Sequence, residues 1–420
     1  MTASSLVSQG TRRSSEDSPE GPHASVTPPR TWPFWAVTAL IFTAMTASST
    51  PSPLYGLYQQ KWHFSAVTTT LIYACYAMGA VAVLTVAGSL RAHIGTKRVL
   101  VMAAVALGVS FLLFLCATGT GALYTARTVQ GMGIGLLTSS AGAALTHLHP
   151  RKNPHAAAVV NSAVTSIGIA LGAVLSGLAA AYAPAPLALP FFILSASTSL
   201  LLFLILLIPQ WESGQSPLRT WRPRPLMVRG TDRGMLLRES LTIVVGWSVA
   251  GLYLALGVEL TASVMSTQNR ASSSLIILIV QGAGGTAPLI WKKLNATRAA
   301  LSGCLSIVAG LAISVVGITG PAAVFFVGAA VTGSGFGLTF MGSLRRVSAA
   351  ALDGDTISAF YAIAYIAVSV PIIAVGVIES LVGLQGAFIC FGGIVTFLAA
   401  SAVVVTCTSA RRVGEQNTQR

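Results

Sequence analysis

Long apolar runs, each broken by a short polar stretch, repeat along nearly the whole chain. Twelve of them reach spanning length, at 34–58, 65–90, 98–119, 121–146, 156–182, 186–209, 238–262, 272–291, 299–319, 321–343, 356–380 and 383–408. Each is long enough to cross a hydrocarbon core of about 30 Å. Runs that are apolar throughout, rather than alternating over ten residues, predict helices and not barrel strands. The pattern therefore predicts an all-α membrane protein of twelve transmembrane helices. Residues 34–209 would form one six-helix bundle and 238–408 a second. Residues 1–33, rich in Ser, Thr, Pro and charge, read as a disordered tail, too polar and too long for a signal peptide. Residues 210–237, with Pro217, Pro223 and Pro225 among arginines, read as a partly ordered linker with short surface helices, and 409–420 as a second tail.

Composition narrows the class further. Of 420 residues, 54% are hydrophobic and 9% charged, with a mean hydropathy of +0.75. Soluble domains carry about 25% charged residues. The net charge of +14 suggests a nucleic-acid partner until its distribution is mapped. With both termini inside, twelve spans put 22 of the 25 Lys and Arg on the cytoplasmic side, among them Arg91, Lys97 and Arg98 between spans 2 and 3. Lys61 and Arg270 fall outside, and Arg127 falls within span 4. That asymmetry is the positive-inside rule, so the charge fixes orientation and leaves no case for nucleic acid. The five cysteines all lie in apolar runs, none at metal or redox spacing. His147, His149 and His155 sit beside Arg151 and Lys152 with no carboxylate or Cys nearby, which reads as a solvated loop and not a metal site. No HExxH, Gly-x-Ser-x-Gly or GxxxxGK[ST] string occurs, so neither an enzyme nor direct ATP drive is expected, and no cofactor.

Two strings carry the most information. Residues 88–100 read GSLRAHIGTKRVL between spans 2 and 3, and Arg127 opens RTVQGMGIG in span 4. They resemble the 2–3 loop and fourth helix of the major facilitator superfamily. Gly88, Gly95 and Lys97 match the family's loop pattern, while Ala92, His93 and Thr96 stand where it has Asp, a basic residue and Arg. In the family that Asp helps latch the two halves, so its loss implies a weaker latch. Arg127, Gln130, Gly131 and Gly133 resemble the helix-4 motif of proton-coupled members, where the arginine is thought to gate proton movement. An arginine snorkelling to the interface is the other reading of Arg127. Gly168, Gly172 and Gly177 in span 5 resemble the antiporter motif, with Ala173 in place of its proline and Ser176 in place of a glycine; small-residue packing explains the same pattern.

The two halves also resemble each other. Gly131, Gly133, Gly135 and Leu136 match Gly333, Gly335, Gly337 and Leu338 at an offset of 202, and the 2–3 loop falls on 288–300 at an offset of 200. There Asn295 replaces Gly95, a residue able to keep a left-handed turn. Pro51 and Pro53 should break span 1 near its outer end. Glu259 reads as a submerged proton or cation site, with an interfacial carboxylate as the alternative. Tyr55, Gln130, Asn161, Thr165, Tyr361 and Tyr365 are the candidate cavity lining, mildly polar and aromatic. The resemblance implies a monomeric, multi-pass transporter of the inner (plasma) membrane, moving small amphipathic molecules outward against protons by alternating access. Proton-coupled uptake of a nutrient, or a non-transporting sensor on the same fold, are the alternatives.

Overall fold

The computed structural model describes residues 31–211, 230–350 and 354–418, and among these every regular element is helical. The first tail and most of the linker lie outside the described residues. The helices are α1 (Trp32–Ser49), α2 (Tyr55–Trp62), α3 (Ala66–Ile94), α4 (Thr96–Leu115), α5 (Thr120–Leu148), α6 (Pro154–Tyr182) and α7 (Leu189–Leu207). After the linker come α8 (Gly230–Val264), α9 (Arg270–Ile290), α10 (Ala296–Thr319), α11 (Ala322–Ala350) and α12 (Gly354–Thr418).

Local chemistry sets most of these boundaries. The first apolar run breaks where its prolines stand: α1 ends at Ser49, a 3₁₀ turn covers Ser52–Leu54, and α2 follows. Ser65 caps α3 by accepting from the Thr68 amide, and Asn269 caps α9 by accepting from the Ala271 amide. Between α3 and α4, Gly95 adopts φ 87°, a backbone that favours glycine. The corresponding Asn295 does not copy it. It has φ −67° and caps α10, its side chain accepting from the Arg298 amide at 2.7 Å. The left-handed turn expected there is thus replaced by a helix N-cap, which Asn performs without strain.

Nine helices among the described residues are long and apolar enough to cross a bilayer, so the twelve expected spans are not matched one for one. The Ser- and Thr-rich α1 and the Arg127-bearing α5 are outside that set. The last two expected spans form α12, which is interrupted at Gly383 by non-helical angles (φ 76°, ψ 174°). Helix also runs further at both edges of the second half than the sequence suggests: α8 begins at Gly230, inside the expected linker, and α12 continues through most of the expected tail.

Two large apolar cores organise the packing, beside a smaller cluster of Leu236, Ile243, Val347, Ala359, Phe360 and Ala364. One draws on α1 to α7 and takes in Tyr365 and Ile372 of α12; the other draws on α8 to α12 and takes in Ala173 of α6. The repeat seen in sequence has a three-dimensional counterpart. A Cβ on Gly131 or Gly135 would strike the carbonyls of Tyr76 and Ala80 in α3, and one on Gly333 or Gly337 those of Val280 and Gly284 in α9. Gly133 faces Ala103 and Leu107 of α4, while Gly335 faces Gly303 and Ile307 of α10. The partners are offset by 204 and 200 residues, so α5 and α11 do the same packing task in each half.

Near one end of α8, Glu239 is ion-paired with Arg346 of α11 at 2.6 Å, both largely buried. Removing one partner leaves a buried charge uncompensated. Glu239→Gln should therefore destabilise the second half by about 3 kcal/mol, read as a lower melting temperature in detergent. An unchanged melting temperature would show that the pair carries no net stability.

Candidate substrate site

The site grows out of the break in α1. Pro51 has no amide hydrogen, so the Ala47 carbonyl four residues earlier has no helical donor. Gln130 of α5 supplies one, its Nε2 donating to the Ala47 oxygen at 3.0 Å. Ser48, in the same last turn, offers its carbonyl to Arg127 Nη1 at 3.1 Å. The proline break thus furnishes acceptors for the polar face of α5. The second half repeats the device: Pro371 frees the Ala367 carbonyl of α12, and Ser248 Oγ of α8 donates to it at 3.1 Å.

Arg127 is 0% exposed, which excludes the snorkelling reading. Its Nε donates to the Tyr55 hydroxyl at 2.8 Å and its Nη1 to Gln130 Oε1 at 2.6 Å. Its Cζ also lies 5.7, 5.1 and 5.3 Å from the ring centres of Tyr55, Tyr73 and Tyr76. Cation–π contacts contribute about 2 kcal/mol or more each when desolvated, so three rings offset part of the cost of burial. Arg127 Nη2 has no hydrogen-bond partner among the described residues. Tyr55 and Gln130, expected to line the cavity, therefore serve to hold the guanidinium.

The cage touches the second half at two points. The Tyr73 hydroxyl, which also contacts Ser52, donates to the Leu254 carbonyl of α8 at 3.1 Å. Tyr76 meets Tyr365 of α12 with ring centres 6.3 Å apart. Tyr365 packs on Trp247 of α8, and Trp247 on Phe336 and Phe340 of α11. Tyr361 joins this cluster through Phe340 and Phe360. Trp247 Nε1 is buried without a partner among the described residues. Asn161 and Thr165 lie half-buried on α6, and the neighbouring Ser166 faces Gly285 of α9.

Sequence reasoning missed Tyr73, Tyr76 and Trp247. Tyr73 and Tyr76 stand three residues apart and share a helix face, a spacing that could have flagged them. Trp247 gave no signal, because its importance comes from α11 and α12.

The other candidate residues lie elsewhere. Glu259 is 46% exposed and ion-paired with Arg270. The reason is the loop 265–269, which brings the N-terminus of α9 back beside the end of α8. Arg270 also packs on the backbone of Gly56 in α2, where a Cβ would overlap its guanidinium. Beside it, Asn269 Nδ2 donates to the Tyr182 hydroxyl at 3.0 Å, and a cavity of about 440 Å³ opens between Gln60, Tyr182 and Arg270. Gly177 of α6 abuts Ser274 of α9, whereas Gly168 and Gly172 abut α1 at Phe42, Met45 and Thr46. Gly88 lies within α3. Lys97 caps α7, its Nζ donating to the Leu206 carbonyl at 3.0 Å and also to that of Ile208.

No curated protein sequence matches the chain. Solved structures do match its fold. A bacterial homologue of the human lysosomal transporter Spinster, in an inward-facing, unoccupied conformation, aligns with a TM-score of 0.73 at 11% identity, covering 91% of this chain and 98% of that one. A mutant of the nucleoside transporter NupG gives 0.70 at 13% identity, covering 89% and 99%. The human organic anion transporter MFSD10 gives 0.64 at 14% identity, covering 90% and 100%. The sequence profile of the Major Facilitator Superfamily matches residues 37–374. The chain belongs to the Major Facilitator Superfamily, and its buried arginine cage lies in a membrane transporter, not an enzyme.

Proposed function

We propose that the protein exports small amphipathic organic molecules against protons, by rocking two six-helix halves around a central site. The observation that carries this reading is the Arg127 cage, built by α1, α2, α3 and α5 and touching α8 and α12. A substrate held there would contact both halves, which is what alternating access requires. The twelve-span topology, cytoplasmic termini and plasma-membrane residence belong to the same proposal; the first rests on the apolar runs, the second on the charge asymmetry and the third on the family resemblance. The structural relatives carry different substrates by name, so fold alone does not choose among them.

Proton linkage is assigned to the face that holds Arg270. Contacts across the two halves gather there: Arg270 on Gly56, Asn269 on Tyr182, Gly177 on Ser274. Protonation of Glu259 would release Arg270 from its ion pair and loosen that closure. The test is flux from proteoliposomes under an imposed pH gradient, with Glu259→Gln beside the native chain. The native protein should accumulate substrate on the acidic side, while Glu259→Gln should equilibrate it without accumulation. Accumulation on the alkaline side would replace export with uptake, and gradient-independent flux in the native chain would sink the coupling.

A further inference from the structure

Nearly half of the chain lacks carboxylates. No Asp or Glu occurs between Glu20 and Glu212, and Arg127 lies within that stretch. In the other half, Glu239 and Glu259 are already bound to Arg346 and Arg270, and Glu379 stands beside Glu259. The Arg127 cage solvates the guanidinium with a hydroxyl, a carbonyl, an amide oxygen and three ring faces, all neutral. Its full positive charge therefore remains without a counter-ion among the described residues, and Nη2 without any partner. Buried charges are ordinarily paired, so this one is set up to receive an anion.

The surroundings say what the rest of that anion looks like. A strip of rings leads from the cage into the second half: Tyr76 lies 6.3 Å from Tyr365, and Tyr365 lies 5.7 Å from Trp247. Trp247 then meets Phe340 at 5.9 Å and Phe336 at 6.0 Å. The rings meet edge-on or tilted, and two donors without a partner stand along them, cationic at Arg127 Nη2 and neutral at Trp247 Nε1.

We infer that the transported molecule is a planar aromatic anion, a carboxylate or sulfonate whose charge pairs with Arg127 and whose rings lie along Tyr76, Tyr365 and Trp247. The inference rests on the transport reading and narrows it. One guanidinium in a site free of carboxylates suffices for a single negative charge, because nothing nearby competes for it. An inorganic anion such as chloride could use the same charge, but it would leave the ring strip without a role.

The full-length protein in detergent tests this by tryptophan fluorescence and calorimetry. The probes are 2-naphthoate, 2-naphthamide and 2-naphthylmethylammonium in gluconate buffer, with chloride as a separate competitor. Naphthoate should bind at least about tenfold tighter than the amide, and the ammonium should not bind. Arg127→Gln should erase the preference for naphthoate, whereas Trp247→Phe should weaken naphthoate and amide alike and keep the preference. Equal affinities for acid and amide, preference for the ammonium, absence of binding, or full displacement of naphthoate by millimolar chloride would each overturn the inference. The same probes in proteoliposomes separate it from the transport reading. Selective binding without flux keeps the anion site and sinks the exporter; flux of the amide or ammonium alone keeps the exporter and sinks the anion site.

Discussion

Arg127→Ala should slow the proposed gradient-driven transport by about 100-fold or more while leaving a folded protein, and Arg127→Lys should not restore it. The side chain makes three hydrogen bonds, to Tyr55, Ser48 and Gln130, and three ring contacts, from one enclosed position. Removing it deprives the Ser48 carbonyl and Gln130 Oε1 of a donor, which is destabilising. It also deletes a buried charge, which offsets that cost. The net change in melting temperature is therefore small. Transport changes much more, because the cage is where α1, α2, α3 and α5 meet α8 and α12. Hydrogen bonds to a charged group are worth about 1.5–3 kcal/mol each, and losing two in the transport transition slows it by about 100-fold. Lysine keeps the charge but not the planar fork that reaches a hydroxyl, a carbonyl and an amide oxygen at once. The fluorescence of a trapped pH-sensitive dye in matched liposomes measures the first effect, and thermal unfolding the second. Native-level flux in the alanine variant would remove Arg127 from the mechanism.

Much of this architecture is legible along the chain, because the strongest signals are local. Apolar runs set the helices, Pro51 and Pro53 break the first of them, and the break at Gly383 falls on the first residue of the last run. The glycine strings at 131–135 and 333–337 are legible for a different reason: close helix approach leaves a compositional mark on each partner. What stays hidden depends on contacts between distant segments. The sequence marks Arg127 as costly but not whether it reaches water, since the tyrosines that enclose it lie on α3 and beyond α1. Glu259 looks submerged in an apolar run because Arg270 belongs to the next helix. Asn295 resembles Gly95 by position, yet its side chain finds a capping role that glycine cannot fill. Trp247 becomes part of a site only when α8, α11 and α12 come together.

Gly131→Ala, a change of one methyl group, should disrupt the first half as severely as a large core substitution. The added Cβ would lie 1.8 Å from the Tyr76 carbonyl oxygen and 3.0 Å from the Ala80 amide nitrogen, both backbone atoms of α3. Rotamer changes cannot relieve an overlap with backbone, so α3 and α5 must separate or shear along that seam. Overpacking of this kind typically costs about 1–3 kcal/mol when side chains can adjust, and more when they cannot. The damage also reaches the site, because α3 carries Tyr73 and Tyr76 and α5 carries Arg127. Gly142→Ala is the control on the same helix, where a Cβ meets nothing within 4 Å. There the substitution gains helix propensity of up to about 1 kcal/mol, so the two variants should move the melting temperature in opposite directions. Gly333→Ala should reproduce the defect in the second half, its Cβ falling 2.2 Å from the Val280 carbonyl oxygen. Thermal unfolding of the three variants in one detergent decides the matter. A Gly131→Ala protein that melts with the native chain would mean that α3 and α5 are not held at this separation, and the geometry of the arginine cage would fall with it.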